Sequence, residues 1–94
     1  MRVIERSSAF KRDFKRVKAA PRHAKDMDAL LSTVLMELLA DRTLSANLRD
    51  HALAGDWAGY RECHLKPDLL LIYRKPDQDT LRLARLGSHS DLFG

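Results

Sequence analysis

The sequence predicts an α+β domain: a small, mostly antiparallel sheet of about four strands with a two-helix hairpin on one face, in the order βααβββ. Three observations predict it. Apolar residues recur at helical spacing through the first forty residues, short β-prone runs separated by turn residues fill the last third, and 94 residues support a single domain spanning 1–94.

Residues 2–6 read as a first strand, and Ser7 or Ser8 offers a hydroxyl cap to a helix opening at Ala9. In that helix Phe10, Phe14 and Val17 fall at i, i+4 and i+7, which sets them on one face and leaves the others to lysine and arginine. Pro21 interrupts. A second helix from about His23 to Ala40 places Met27, Leu30, Leu31, Val34, Leu35, Leu38 and Leu39 along a broad apolar stripe, so the two helices are expected to pack as a hairpin. Asp41 to Gly55 has no periodicity and reads as a loop anchored by Leu44, Leu48 and Leu53. Strands then follow at Gly59–Leu65, Leu69–Lys75 and Leu81–Leu86, with turns at Pro67-Asp68 and at residues 76–79. The unbroken run Leu69–Tyr73 marks a central strand, and the sheet face away from the helices is expected to be open.

Composition narrows the function. With 45% hydrophobic and 32% charged residues the chain is globular and not a disordered tail. A single cysteine, Cys63, excludes an intrachain disulfide, and the start of the chain lacks the apolar core of a signal peptide, so a reducing cytoplasm is the expected home. The longest apolar run is too short to cross a bilayer. Residues 11–25 carry a charge of +6 against −2 for the remainder. Lys11, Arg12, Lys15, Arg16 and Lys18 therefore form a candidate RNA-binding face, since cations that neutralise phosphates release condensed counterions; a merely solvated helix face is the blander reading.

The candidate chemistry lies in the histidines. His51, His64 and His89 fall where structure least demands them, and a hairpin can bring the end of one strand and the start of the next into one neighbourhood, together with Asp68. Imidazole gives and takes protons near neutrality, with an ordinary pKa of about 6.5, so a cluster of them points to acid–base work. Three histidines and an aspartate also satisfy a metal's ligand count, but their spacing is unlike the short paired spacing of zinc motifs, and Cys63 points away from His64 along a strand. No metal or cofactor is therefore expected. The same alternation removes a Cys-His nucleophile pair and makes Cys63 a small core residue. His23, among basic residues at a helix start, reads as surface. Tyr73 reads as core. Trp57 packs under the loop or faces RNA, and Phe93 is a candidate for stacking on a base. Lys66, Arg61 and Arg85 are candidate phosphate ligands; for the two arginines register decides between phosphate and a carboxylate partner.

The pattern His51-x-Leu53-x-Gly55-x-Trp57-x-Gly59-x-Arg61-Glu62-x-His64-x-x-Pro67-Asp68-x-Leu70-Leu71-Ile72-Tyr73, followed by Arg85-x-Gly87-Ser88-His89-Ser90-Asp91-Leu92-Phe93, resembles the YafQ-type branch of the RelE/ParE toxin superfamily. The resemblance covers the whole layout and is densest from residue 51 onward. It implies a RelE-like fold and ribosome-dependent mRNA cleavage held in check by a cognate antitoxin. His51, His64, Asp68 and His89 match the catalytic positions and Phe93 the terminal aromatic. The implied mechanism is metal-independent: the ribose 2′-hydroxyl attacks its own phosphodiester and leaves a 2′,3′-cyclic phosphate. One departure is Leu69, where relatives often carry Trp after the Pro-Asp pair, which bears on substrate preference. Under that reading His89 leads as acid or base, His51 and His64 serve as complementary proton carrier and phosphate ligand, and Asp68 orients an imidazole. The alternatives are a non-catalytic member that poisons gyrase by contact, or an inactive antitoxin partner.

Overall fold

Strand alternation decides where everything else sits. In the computed structural model, which describes residues 2–94, one strand turns Cys63 and Leu65 toward the helices and Glu62 and His64 toward the opposite side. The elements are β1 (Val3–Arg6), α1 (Ser8–Ala19), α2 (Pro21–Ala24), α3 (Met27–Leu39), β2 (His51–Ala52), β3 (Arg61–Lys66), β4 (Leu69–Asp77), β5 (Thr80–Gly87) and α4 (His89–Phe93), with 3₁₀ turns at Ala46–Leu48 and Gly55–Trp57. The sheet order is β1-β5-β4-β3-β2, antiparallel except for the parallel pairing of β1 with β5. Among the described residues no helix is long and apolar enough to cross a membrane.

The α+β class and the predicted strands are present, and five strands replace the expected four. The addition, β2, is two residues long, and it takes His51 out of the expected loop into register with Glu62. So short a strand has too few residues to show a period in sequence. Ser7, not Ser8, caps α1: its hydroxyl accepts from Phe10 N–H at 2.9 Å and donates to Ala84 C=O at 2.7 Å.

The second helix does not begin at His23. Pro21–Ala24 forms its own turn, Lys25 is extended, and Asp26 is left-handed at φ 62°, so the long helix opens at Met27. The cause is tertiary. Lys66 Nζ on β3 takes the carbonyls of His23 at 3.2 Å and Lys25 at 2.6 Å, the groups a continuous helix would offer to its own next turn. His23 is accordingly not a surface residue. It is buried, its Nε2 accepts from Arg22 Nε at 3.1 Å, and its Nδ1 has no hydrogen-bond partner among the described residues.

The helix-facing core runs from Phe10 and Val17 through Met27, Leu31, Val34 and Leu38 onto Leu69, Leu71, Tyr73, Leu81, Leu83 and Leu86. Leu44 is buried, and Leu48 packs beside it, as expected of loop anchors. The opposite face is not open as predicted: Leu70, Ile72, Ala84 and Leu92 form a second cluster covered by Leu53, Trp57 and Tyr60. Trp57 meets Tyr60 edge to face at 5.2 Å, which settles it as packing. The cover consists of the segment before β3 and the final helix, neither of which has a strong periodic signal.

Asp13 ties α1 to β5. Its buried carboxylate receives Arg85 Nε at 2.6 Å, Arg85 Nη2 at 3.1 Å, Leu86 N–H at 3.0 Å and Arg16 Nη1 at 3.0 Å. Burial raises its pKa, but Arg85, the Leu86 amide and Arg16 outweigh burial and hold it below the ordinary carboxylate range. Asp13→Ala leaves the Arg85 cation unpaired, so we expect a loss of about 3–5 kcal/mol in urea unfolding. His23 gives a pH signature. Burial, then Arg22, lowers its pKa, so the unfolded chain binds a proton more readily than the fold does. Stability is therefore expected to fall as pH drops through about 6.5, and a thermal melt series should show this slope flattened in His23→Gln.

Candidate active site

The site forms where β3, the β3–β4 turn and α4 meet on the face away from the helix layer. His51 and Glu62 are paired across β2 and β3, and Glu62 and His64 are two apart on β3, so all three side chains share that face. The Glu62 carboxylate, 4% exposed, stands between the two imidazoles, with Oε1 at 3.2 Å from His64 Nε2 and 4.0 Å from His51 Nε2. The two rings are 6.5 Å apart. His51 Nδ1 lies 2.7 Å from the Arg49 carbonyl, which can only accept, so Nδ1 carries the proton and Nε2 of the neutral ring has a free lone pair. Arg49 is itself left-handed at φ 51°, a conformation uncommon outside glycine, and its carbonyl is the one that fixes His51.

The third histidine arrives from the other edge of β4. Leu70 pairs with His64 on one side and Gly87 on the other, and the chain turns directly from Gly87 into α4. Ser88 caps that helix in a reciprocal capping box with Asp91, and Leu92 anchors it in the second core. His89, the first helical residue, is exposed and packs on Phe93 with ring centroids 5.1 Å apart. Its backbone N–H donates to Asp68 Oδ1 at 3.1 Å, while Arg22 Nη2 reaches Asp68 Oδ2 at 3.2 Å.

The structure thus forms two groups, His51 and His64 about Glu62, and Asp68, His89 and Phe93 at the start of α4, linked through Leu70, which pairs with both His64 and Gly87. Asp68 differs from its predicted part: it holds the start of α4 through the backbone, and the carboxylate that meets imidazole is Glu62. That residue was missed, although the spacing Glu62-x-His64 on a strand is a signal that could have found it. Arg22 was also missed as a neighbour of the site.

The predicted cations are placed less uniformly. Arg61 alternates onto the Cys63 side and pairs with Asp50 at 3.0 Å, so it does not join the histidines. Asp50 raises its pKa. Lys66 is bound to the His23 and Lys25 carbonyls, and Arg85 forks onto Asp13, which raises its pKa. On α1, Lys11, Arg12 and Lys15 are exposed, whereas Lys18 reaches Asp28 at 3.2 Å and Arg16 is bonded to Asp13. Cys63 is fully buried in the helix-facing core, and burial with the nearby Asp50 and Glu62 charges pushes its thiol up to about 12. It is no nucleophile. No group of three or more His, Cys, Asp or Glu side chains among the described residues is arranged to hold a metal ion.

Residues 2–94 match the family model described as a bacterial toxin of type II toxin–antitoxin system, YafQ. The chain belongs to the YafQ toxin family. It is 44% identical to the mRNA interferase toxin YafQ of Escherichia coli over 95 aligned positions, covering 99% of this chain and 97% of that protein. The E. coli DinJ-YafQ complex is similar in structure, with TM-score 0.84, 39% identity and complete coverage of both chains. So is a metal-bound toxin from Helicobacter pylori, with TM-score 0.84, 44% identity, and coverage of 99% of this chain and all of that one. This YafQ-type chain therefore shares its whole fold with toxins of the family.

The His51 geometry is directly measurable. Nitrogen NMR of the folded protein at alkaline pH should show His51 as the Nδ1–H tautomer, and a dominant Nε2–H tautomer would contradict the Arg49 contact.

Proposed function

We propose that this chain is an endoribonuclease toxin that cuts messenger RNA on the ribosome and is neutralised by a cognate antitoxin. The observation that carries the reading is the convergence of His51 and His64 on Glu62 beside the α4 turn that bears His89. Similarity to an mRNA interferase supports it.

The chemistry needs a base for the 2′-hydroxyl proton, positive groups for the crowded phosphorane and an acid for the departing 5′ oxygen. His51 Nε2 has the free lone pair for the first task. The proton it gains is stabilised by Glu62. As the 2′ oxygen bonds to phosphorus and the bond to the 5′ oxygen breaks, His89 donates a proton to that oxygen, which leaves a 2′,3′-cyclic phosphate and a free 5′-hydroxyl. His64, with Nε2–H turned to Glu62, serves as a phosphate ligand. Asp68 sets the start of α4, and Phe93, stacked beside His89, offers a face to a base. Each acid or base is typically worth about 10²–10⁴-fold in rate. No step passes through a metal ion, and no cofactor is invoked.

Alignment of the ribose for in-line attack is worth up to about 7–11 kcal/mol, and a domain this small leaves that task to the ribosome. Exposed Lys11, Arg12 and Lys15 on α1 suit ribosomal RNA. The antitoxin has a fitting surface in β1, an edge strand with Val3 70% and Ile4 37% exposed, beside an apolar groove formed by Phe10, Phe14, Leu31 and Leu35. A crystallised complex of the E. coli relative with DinJ supports a partner of this kind. A task on ribosomes and messenger RNA fits a chain that works in the cytoplasm.

His89→Ala is expected to lower cleavage on translating ribosomes by about 10²–10⁴-fold with an unchanged circular dichroism spectrum. Cleavage at the unmodified rate would reject its role, and no cleavage by the unmodified chain would favour a toxin that acts by contact alone.

A further inference from the structure

Resting on that reading, we infer that Arg16 is a positioning residue for catalysis: its guanidinium straps the histidine-bearing helix α4 to the buried Asp13 of α1. Basic residues on an exposed helix invite assignment to RNA, but this one is differently placed. Arg16 Nη1 donates to Asp13 Oδ1 at 3.0 Å, and Nη2 lies 3.4 Å from the Leu86 carbonyl and 3.7 Å from Asp91 Oδ2. A planar fork is the side chain that can span a core carboxylate and a helix carboxylate together.

Helix α4 needs such a support. Five residues are too few to hold a helix by propensity, so its position depends on what grips it. Leu92 grips one side through the core, and Asp68 grips the N-terminus through His89 N–H. Asp91 is the remaining handle, and its Oδ2 also accepts Ser88 N–H at 3.1 Å, so movement of Asp91 moves the turn that starts at His89. Gly87 shows how closely the strap passes. A Cβ there would meet Arg16 Nη2 at 3.0 Å and Asp91 Oδ2 and Cβ at 3.2 Å, so glycine is what lets guanidinium and carboxylate meet over the end of β5. Asp13 stays bonded to Arg85 and to the Leu86 amide when Arg16 is removed, so the loss falls on α4 and not on the α1–β5 junction.

The test is single-turnover cleavage of a defined message on ribosomes, read as a maximal rate and a half-saturating toxin concentration. Arg16→Ala should lower the maximal rate by roughly 10²-fold, the scale of a small misplacement of a catalytic group, with the half-saturating concentration unchanged. Arg16→Lys keeps the charge without the fork and should stay low. Gly87→Ala, which crowds the strap while keeping Arg16, and Asp91→Asn should lower the same rate. In a cycle with His89→Ala, Arg16→Ala should cost nothing further, because it acts through that histidine. Full rescue by Arg16→Lys, a change confined to the half-saturating concentration, or an additive loss would each overturn the strap while leaving the nuclease reading standing. If His89→Ala itself cuts normally, both fall. Thermal melts of Arg16→Lys and Asp91→Asn guard against a loss that is only unfolding.

Discussion

The site depends on one buried carboxylate. Glu62 lies on the sheet face that its neighbours Leu70 and Ile72 make apolar, and a carboxylate withdrawn from water there is tolerable when it is paired. His64 pairs with it closely and His51 faces it across β2, so a requirement of stability becomes the device that holds two imidazoles side by side. The same alternation that points Glu62 and His64 outward points Cys63 and Leu65 into the helix-facing core. A one-residue slip of β3 would bury both functional groups beneath the helices.

The second requirement is that α4 stay put. The final turn is tethered by a hydrophobic residue, by a turn aspartate and by a chain of charges reaching back through Arg16 to Asp13. Asp13 faces two arginines, so the basic stretch that suggests polyanion binding contributes part of its charge to internal architecture. Beyond that stretch, Lys66 is likewise engaged by the His23 and Lys25 carbonyls and Arg61 by Asp50. What remains for RNA is a smaller set of exposed lysines and arginines than the sequence count suggests.

Much of this was legible because it is local. The α1 stripe, the three long strands and their turns follow from periodicity and turn chemistry, and the nearness of His51 to His64 and of Asp68 to the His89 amide agrees with the pattern that singles these residues out. The misses are tertiary. The break at Lys25-Asp26 is stabilised by a lysine about forty positions away, and burial of His23 comes with that rearrangement. β2 has too few residues to announce itself, and the cover over the second face comes from segments with weak periodicity. Glu62 is legible only through its spacing from His64 on a strand, since a lone glutamate in a β-prone run reads as solvent-facing until the cover over that sheet face is known.

The most direct measurement is the chemistry of the cut ends in message recovered from translating ribosomes treated with this protein. A 2′,3′-cyclic phosphate on the upstream fragment and a free 5′-hydroxyl on the downstream one are what proton transfer by histidines to and from the ribose and leaving oxygens produces. Fragments ending in a 3′-hydroxyl and a 5′-phosphate, or intact message, would contradict the account.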